Sequence, residues 1–162
     1  MQEFRVRISK DDLTFSAGHF ITLGGGECER LHGHNYRVAA ELAGPLDENY
    51  YVVDFGAVNH ALKTILKRLD HRMLLPTEHP LIQVEAGDQQ VEVTFAERHW
   101  TFPREDCVLL PIENTTAELL ARHVATGLLD ALESATGRRP DMVRIEVEEC
   151  PGQTAVCELR GE

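Results

Sequence analysis

Apolar residues alternate with polar ones at both ends of this chain, and two stretches in between switch to helical spacing. Phe4, Val6 and Ile8 alternate with Arg5, Arg7 and Ser9, the period of two of a half-buried strand. The pattern predicts a second strand over 14–20 and a third over 34–43, where Tyr36, Val38, Ala40 and Leu42 alternate before Gly44-Pro45 ends the run. Phe55, Val58, Leu62, Ile65, Leu66 and Leu69 then recur at helical spacing, with Asp54 placed as N-cap. A second helix fits 116–136: Leu119, Leu120, Val124, Leu128 and Leu132 form its stripe, Thr115 and Glu118 a capping box, and Gly137 its stop. Val143, Ile145 and Val147, and then 155–159, return to strand. Strands that arrive in runs around two helices predict an α+β fold, a mostly antiparallel sheet backed by both helices on one face.

With 162 residues, no repeat and no linker, the chain reads as a single domain, 1–162. Residues 76–112 differ in kind. Val91, Val93 and Phe95 alternate, 96–99 offers a turn, and Trp100 and Phe102 continue, which predicts an inserted hairpin. The 27 acidic residues outweigh 16 Lys and Arg, a net charge of −11 that argues against a nucleic-acid or anionic-membrane partner. No apolar run approaches a membrane span. The opening MQEFRVRISKDD lacks the apolar core of a signal peptide, so the cytoplasm is the expected compartment. Cys28, Cys107, Cys150 and Cys157 are scattered without a CxxC pair and are expected as free thiols.

The chemistry concentrates in Cys28-Glu29-Arg30-Leu31-His32-Gly33-His34-Asn35-Tyr36. If His32 and His34 begin a strand, they project from one face roughly 6–7 Å apart, which suits two imidazoles converging on one Zn²⁺. On its own, HxH is equally two histidines on a wet strand face. His19 on the preceding strand is a candidate third ligand, and three neutral histidines leave a coordination position open, the pattern of a catalytic zinc. Cys28 follows three glycines among charged residues, where burial is not expected, and a nearby dication would lower its pKa and make it a base or nucleophile. Asp70 could fix the tautomer of His71 for proton transfer, or the pair could simply end the helix. Glu149 shares a strand face with Ile145 and Val147, so its carboxylate wants a donor such as a ligand's N–H groups. No HExxH is present to support a hydrolytic zinc enzyme.

These residues resemble the 6-pyruvoyl- and 6-carboxy-tetrahydropterin synthase family. The resemblance is carried by Phe15-Ser16-Ala17-Gly18-His19, Cys28-x₃-His32-Gly33-His34-Asn35-Tyr36, Val53-Asp54-Phe55, Leu69-Asp70-His71, Thr115-Thr116-Ala117-Glu118 and Val147-Glu148-Glu149. It implies the tunnelling fold, a four-stranded antiparallel sheet with two helices that assembles as a trimer or hexamer. It implies zinc on His19, His32 and His34, and proton transfer by Cys28, Asp70 and His71, the last two reaching the cysteine from a neighbouring subunit. Glu149 would bind the pterin, with Thr116 and Glu118 completing its pocket. The implied substrate is 7,8-dihydroneopterin triphosphate, and Cys-x₃-HGH points first to a 6-carboxy-tetrahydropterin product on the queuosine route. Glu29, as Glu-x₂-HGH, points second to 6-hydroxymethyl-dihydropterin for folate; a 6-pyruvoyl product and a non-catalytic pterin- or metal-binding paralogue are the remaining alternatives. A triphosphate needs local cations, for which Arg30, Arg37, Arg5 and Arg7 are the candidates.

Overall fold

The computed structural model describes residues 2–24 and 26–161. In chain order the strands are β1 (Phe4–Ile8), β2 (Thr14–His19), β3 (Thr22–Leu23), β4 (Glu27–Cys28) and β5 (His32–Gly44). Helix α1 (Phe55–Leu69) follows, then β6 (Arg72–Pro76), β7 (Gln83–Ala86), β8 (Gln90–Phe95), β9 (Arg98–Pro103) and β10 (Cys107–Leu110). Helix α2 (Ala117–Thr136) precedes the closing strands β11 (Met142–Cys150) and β12 (Gln153–Arg160).

The long strand β5 organises the sheet. On one side β2 pairs antiparallel with its first half and β1 with its second, so β1 and β2 act as one interrupted strand. On the other side β11 and then β12 add antiparallel. These make the antiparallel part of a seven-stranded sheet, larger than the expected four strands. Beyond β2, however, β6 and β10 extend the sheet in parallel. The reason is legible only with the partner in place: Met73, Leu74 and Leu75 are a continuous apolar run buried on both faces, as parallel strands are.

Both helices cover one face and bury the main core. Asp54 caps α1 by accepting from the Ala57 N–H at 2.9 Å, and Val58, Ala61, Leu62, Leu66 and Leu69 turn inward. Phe55, expected on that stripe, is instead exposed. In α2 the buried stripe is Leu120, Ala121, Val124, Ala125, Leu128 and Leu132, and Gly137 ends the helix in the left-handed region at φ 69°. The expected capping box lies one residue out of place. Thr116 is the N-cap, accepting from Leu119, because Thr115 is buried and its hydroxyl donates to the Phe20 carbonyl.

The 76–112 segment is more than a hairpin. Strands β7, β8 and β9 form a three-stranded antiparallel meander. The β8–β9 turn is the two residues Ala96 and Glu97, with Ala96 at φ 49°. The meander's Val91, Val93 and Phe95 join Phe20, Met73, Leu75, Ile82 and Cys107 in a second hydrophobic cluster.

Gly33 marks a close approach inside the sheet. A Cβ built there would lie 2.9 Å from the Ala17 carbonyl oxygen on the paired strand. Gly33→Ala is therefore expected to destabilise the protein by about 1–3 kcal/mol, read as a lower midpoint in chemical denaturation. An unchanged midpoint would contradict that packing.

Candidate active site

Strand pairing brings the three histidines together. His19 ends β2 directly opposite His32, and His34 lies two residues along β5 on the same face. One ligand atom from each lies within 4.8 Å of the others, and the cluster can hold a metal ion. Backbone carbonyls orient two of the rings. His19 Nδ1 is 2.9 Å from the Thr115 oxygen and His32 Nδ1 is 2.7 Å from that of Arg30. Donation from each Nδ1–H leaves the Nε2 lone pair for a metal, the usual outer-shell arrangement of a ligating histidine. The donor set thus fits a three-histidine zinc site with an open position.

The surroundings of the triad combine burial with negative charge. His19 is fully buried, and that burial lowers its pKa, favouring the neutral form a metal needs. The Tyr36 hydroxyl sits 3.4 Å from His19 Nδ1, its pKa raised by burial first and by Glu149 second. One Glu149 oxygen lies 3.5 Å from His19 Nε2 and 3.4 Å from His34 Nε2. The strand reading gave Glu149 an unmet need for a donor, and in this structure its carboxylate faces the Nε2 atoms of His19 and His34. Glu29 forms the rim: its carboxylate accepts from the Ile21 N–H at 3.3 Å and lies 3.9 Å from His32 Nε2.

Cys28 differs from its expectation. It is half-buried against the second hydrophobic cluster, and burial raises its thiol pKa, with Arg98 pulling the other way. The sequence could not show this, because the cluster is built largely from the distant meander. The Asp70–His71 couple forms as expected, with Asp70 Oδ2 2.9 Å from His71 Nδ1. The Ser16 N–H donates to Asp70 Oδ1 at 2.8 Å, and this bond, then that to His71, holds the carboxyl below its ordinary range. His71 itself sits at φ 55°, its N–H bonded to the Ser16 carbonyl.

His71 lines an open groove of about 760 Å³ with Ser16, His32, His34, Asn35 and Phe102. Ser16 and Asn35, bonded through their side chains at 2.6 Å, alternate away from the triad's face. Among the described residues no hydrogen bond joins Cys28 to His71 within the protomer. Thr116 and Glu118 lie on the first turn of α2, next to the carbonyl that orients His19, with the Thr116 hydroxyl engaged as cap and Glu118 exposed.

The arginines proposed for a triphosphate divide. Arg5 pairs with Glu3 and Glu41, Arg7 with Glu146, and Arg37 with Asp11, so three of the four are matched by carboxylates. Arg5 and Arg7 also lie beside residues 40–44 of β5, at the opposite end from the triad. Arg30 is exposed and stands two residues from His32 in the chain, its carbonyl 2.7 Å from His32 Nδ1. Sequence reading missed Arg98 and His79, whose contacts to the site loop join residues far apart in the chain.

Burial also lowers the pKa of His79 and His123 from 6.5. The unfolded chain then takes up protons first as the pH falls through that value, so stability present above it is lost below. Thermal unfolding in chelator is expected at a lower temperature at pH 5.5 than at pH 7.5. An equal or higher midpoint at the lower pH would contradict this.

Comparison with known proteins agrees with the fold and gives the family. The family model of 6-pyruvoyl tetrahydropterin synthase matches residues 7–161, and the chain belongs to that family. A Methanocaldococcus jannaschii relative, provisionally named a 6-carboxy-5,6,7,8-tetrahydropterin synthase, is 33% identical over 144 residues, 88% of each chain. The 6-carboxy-5,6,7,8-tetrahydropterin synthase of Bacillus subtilis is 29% identical over 151 residues, 92% of this chain and 82% of its own. A Plasmodium vivax 6-pyruvoyltetrahydropterin synthase, solved as a mutant in which a catalytic glutamate is replaced by alanine, superimposes with a TM-score of 0.89 at 25% identity, covering 99% of each chain. No helix of the described residues is long and apolar enough to cross a membrane.

Proposed function

We propose that this protein is a zinc-dependent lyase that converts 7,8-dihydroneopterin triphosphate and water to 6-carboxy-5,6,7,8-tetrahydropterin, acetaldehyde and triphosphate, as on the queuosine route. The observation that carries it is the convergence of His19, His32 and His34 beside the Cys28-Glu29 loop in a chain of this family. Zinc on the three histidines supplies a Lewis acid that polarises the substrate's side-chain hydroxyls and acidifies the neighbouring C–H bonds. Cys28 gives up and regains a proton at its sulfur, and burial raises the pKa of that thiol. Asp70 holds His71 Nδ1, leaving Nε2 to exchange protons. Glu149 turns from the histidines to accept the pterin's 2-amino and ring N–H groups, the first turn of α2 with Thr116 and Glu118 flanks the ring, and Arg30 meets the triphosphate.

The groove supports a site shared between copies. His71 is exposed on the side from which Ser16 and Asn35 project, so a second copy's His71 would complete the relay at Cys28. The working form is accordingly a homo-oligomer, a trimer or hexamer.

One observation favours a second reading of the product. Glu29 has its side chain 3.9 Å from a triad nitrogen, the placement of a group that could replace the thiol and direct cleavage to 6-hydroxymethyl-dihydropterin. Mass spectrometry of products from wild type and Glu29→Ala separates the two. The 6-carboxy reading expects the same carboxy product from both. A hydroxymethyl product that disappears in Glu29→Ala would replace it with the second reading, and no product at all from zinc-loaded wild type would sink both.

A further inference from the structure

The 76–112 segment has no part in the chemistry above, yet it holds the Cys28-Glu29 loop from two sides. That loop closes a hairpin with only two registered pairs, Thr22 with Cys28 and Leu23 with Glu27. Gly24 and Gly26 near its tip have open space around any added Cβ, and Gly26 sits at φ 89°. A two-stranded piece this short does not hold its own geometry in water. Within the hairpin Glu29 adds one bond, its N–H to the Ile21 carbonyl at 2.9 Å, and further bonds from outside are needed to fix where Cys28 and Glu29 stand.

Those bonds come from the meander side. Arg98 on β9 donates from Nη1 to the carbonyls of Cys28 at 2.7 Å and Glu29 at 3.0 Å. Its guanidinium lies 4.6 Å above the Trp100 ring, and Trp100 stacks on Phe20, the residue after His19, at 4.5 Å. The stack ties the arginine to the end of the strand that supplies the first histidine. On the other hairpin strand, His79 Nδ1 accepts the N–H groups of Leu81 and Ile82, each at 2.9 Å. That leaves its Nε2–H to donate to the Thr22 hydroxyl at 2.7 Å. Arg98 and His79 thus grip the hairpin at Cys28 and at Thr22, the two ends of one registered pair.

We propose that Arg98 is a positioning residue of this site, and that the 76–112 segment is a brace holding the Cys28-Glu29 backbone in place against the histidine triad. The inference rests on the functional reading of that loop. Charge-assisted bonds from a planar guanidinium suit the task, because the fork is preorganised and its face is held by the indole. A lysine at position 98 keeps the charge but loses the stacked plane.

The test uses the full-length, zinc-loaded protein with Arg98→Ala, Arg98→Lys and Thr22→Val. Hydrogen exchange of peptides spanning 26–31 should quicken about tenfold or more in Arg98→Ala, with α2 peptides unchanged. The Thr22→Val protein, which loses the His79 bond together with the Asn114 amide's bond to the same hydroxyl, should quicken the same peptides. With dihydroneopterin triphosphate, Arg98→Ala should lower kcat about a hundredfold, the scale of a small misplacement of reacting groups, with KM moved far less and zinc content retained. Arg98→Lys should recover part of kcat. Wild-type exchange across 26–31 in Arg98→Ala, or an unchanged kcat, would overturn the brace. Exchange is read without substrate, so a wild type inactive on this pterin would refute the lyase reading while the brace is still judged on exchange.

Discussion

Replacing His32 by alanine is expected to strip the metal and, with it, turnover. His32 supplies one of three converging nitrogens, and its ring is oriented by the Arg30 carbonyl rather than by core packing. Its side chain is 38% exposed, against 1% for His19, so the substitution removes a ligand without opening the core. His19→Ala would confound ligand loss with a cavity. For His32→Ala, elemental analysis after dialysis should find almost no zinc. Turnover of dihydroneopterin triphosphate should fall by about 10³-fold or more, the several kcal/mol a Lewis acid contributes to a transition state. The thermal midpoint in chelator should stay near that of wild type in chelator. Zinc retained at one per chain would contradict the triad as the metal site.

Cys28→Ala should separate proton transfer from metal binding. The thiol contributes no nitrogen to the cluster, so zinc content should match wild type. A lost general acid or base costs about 10²–10⁴-fold, and kcat should fall within that range while KM changes little. Because Cys28 packs on the second cluster, the change also removes one sulfur from an apolar contact, a small effect on stability. Wild-type kcat in Cys28→Ala would remove the residue from the mechanism and leave Glu29 as the proton carrier at the loop.

What the sequence revealed was local. The Asp54 cap, the Gly137 stop and the strand over 34–43 depend on neighbours within a turn or a strand, and each appears within two residues of where the pattern puts it. The histidine spacing was readable for the same reason, since His32 and His34 share a strand face by alternation. Where a choice depended on a remote partner, the pattern misled or stayed silent. Thr115 and Thr116 are equally good caps by type, and the Phe20 carbonyl decides between them. Leu74 and Leu75 became a parallel strand only because β10 runs beside them. Cys28 looked exposed among charges, yet the meander buries it, and Arg98 reaches its carbonyl from 70 residues away. Contacts of that separation leave no periodic trace.

The central claim, a zinc lyase that cuts the substrate's side chain, is tested most directly by carbon balance. Zinc-loaded protein should release one acetaldehyde for each dihydroneopterin triphosphate consumed, with matching 6-carboxy-tetrahydropterin. Chelation should stop that release, and added zinc should restore it. Substrate consumed without acetaldehyde, or release that survives complete removal of the metal, would contradict the account.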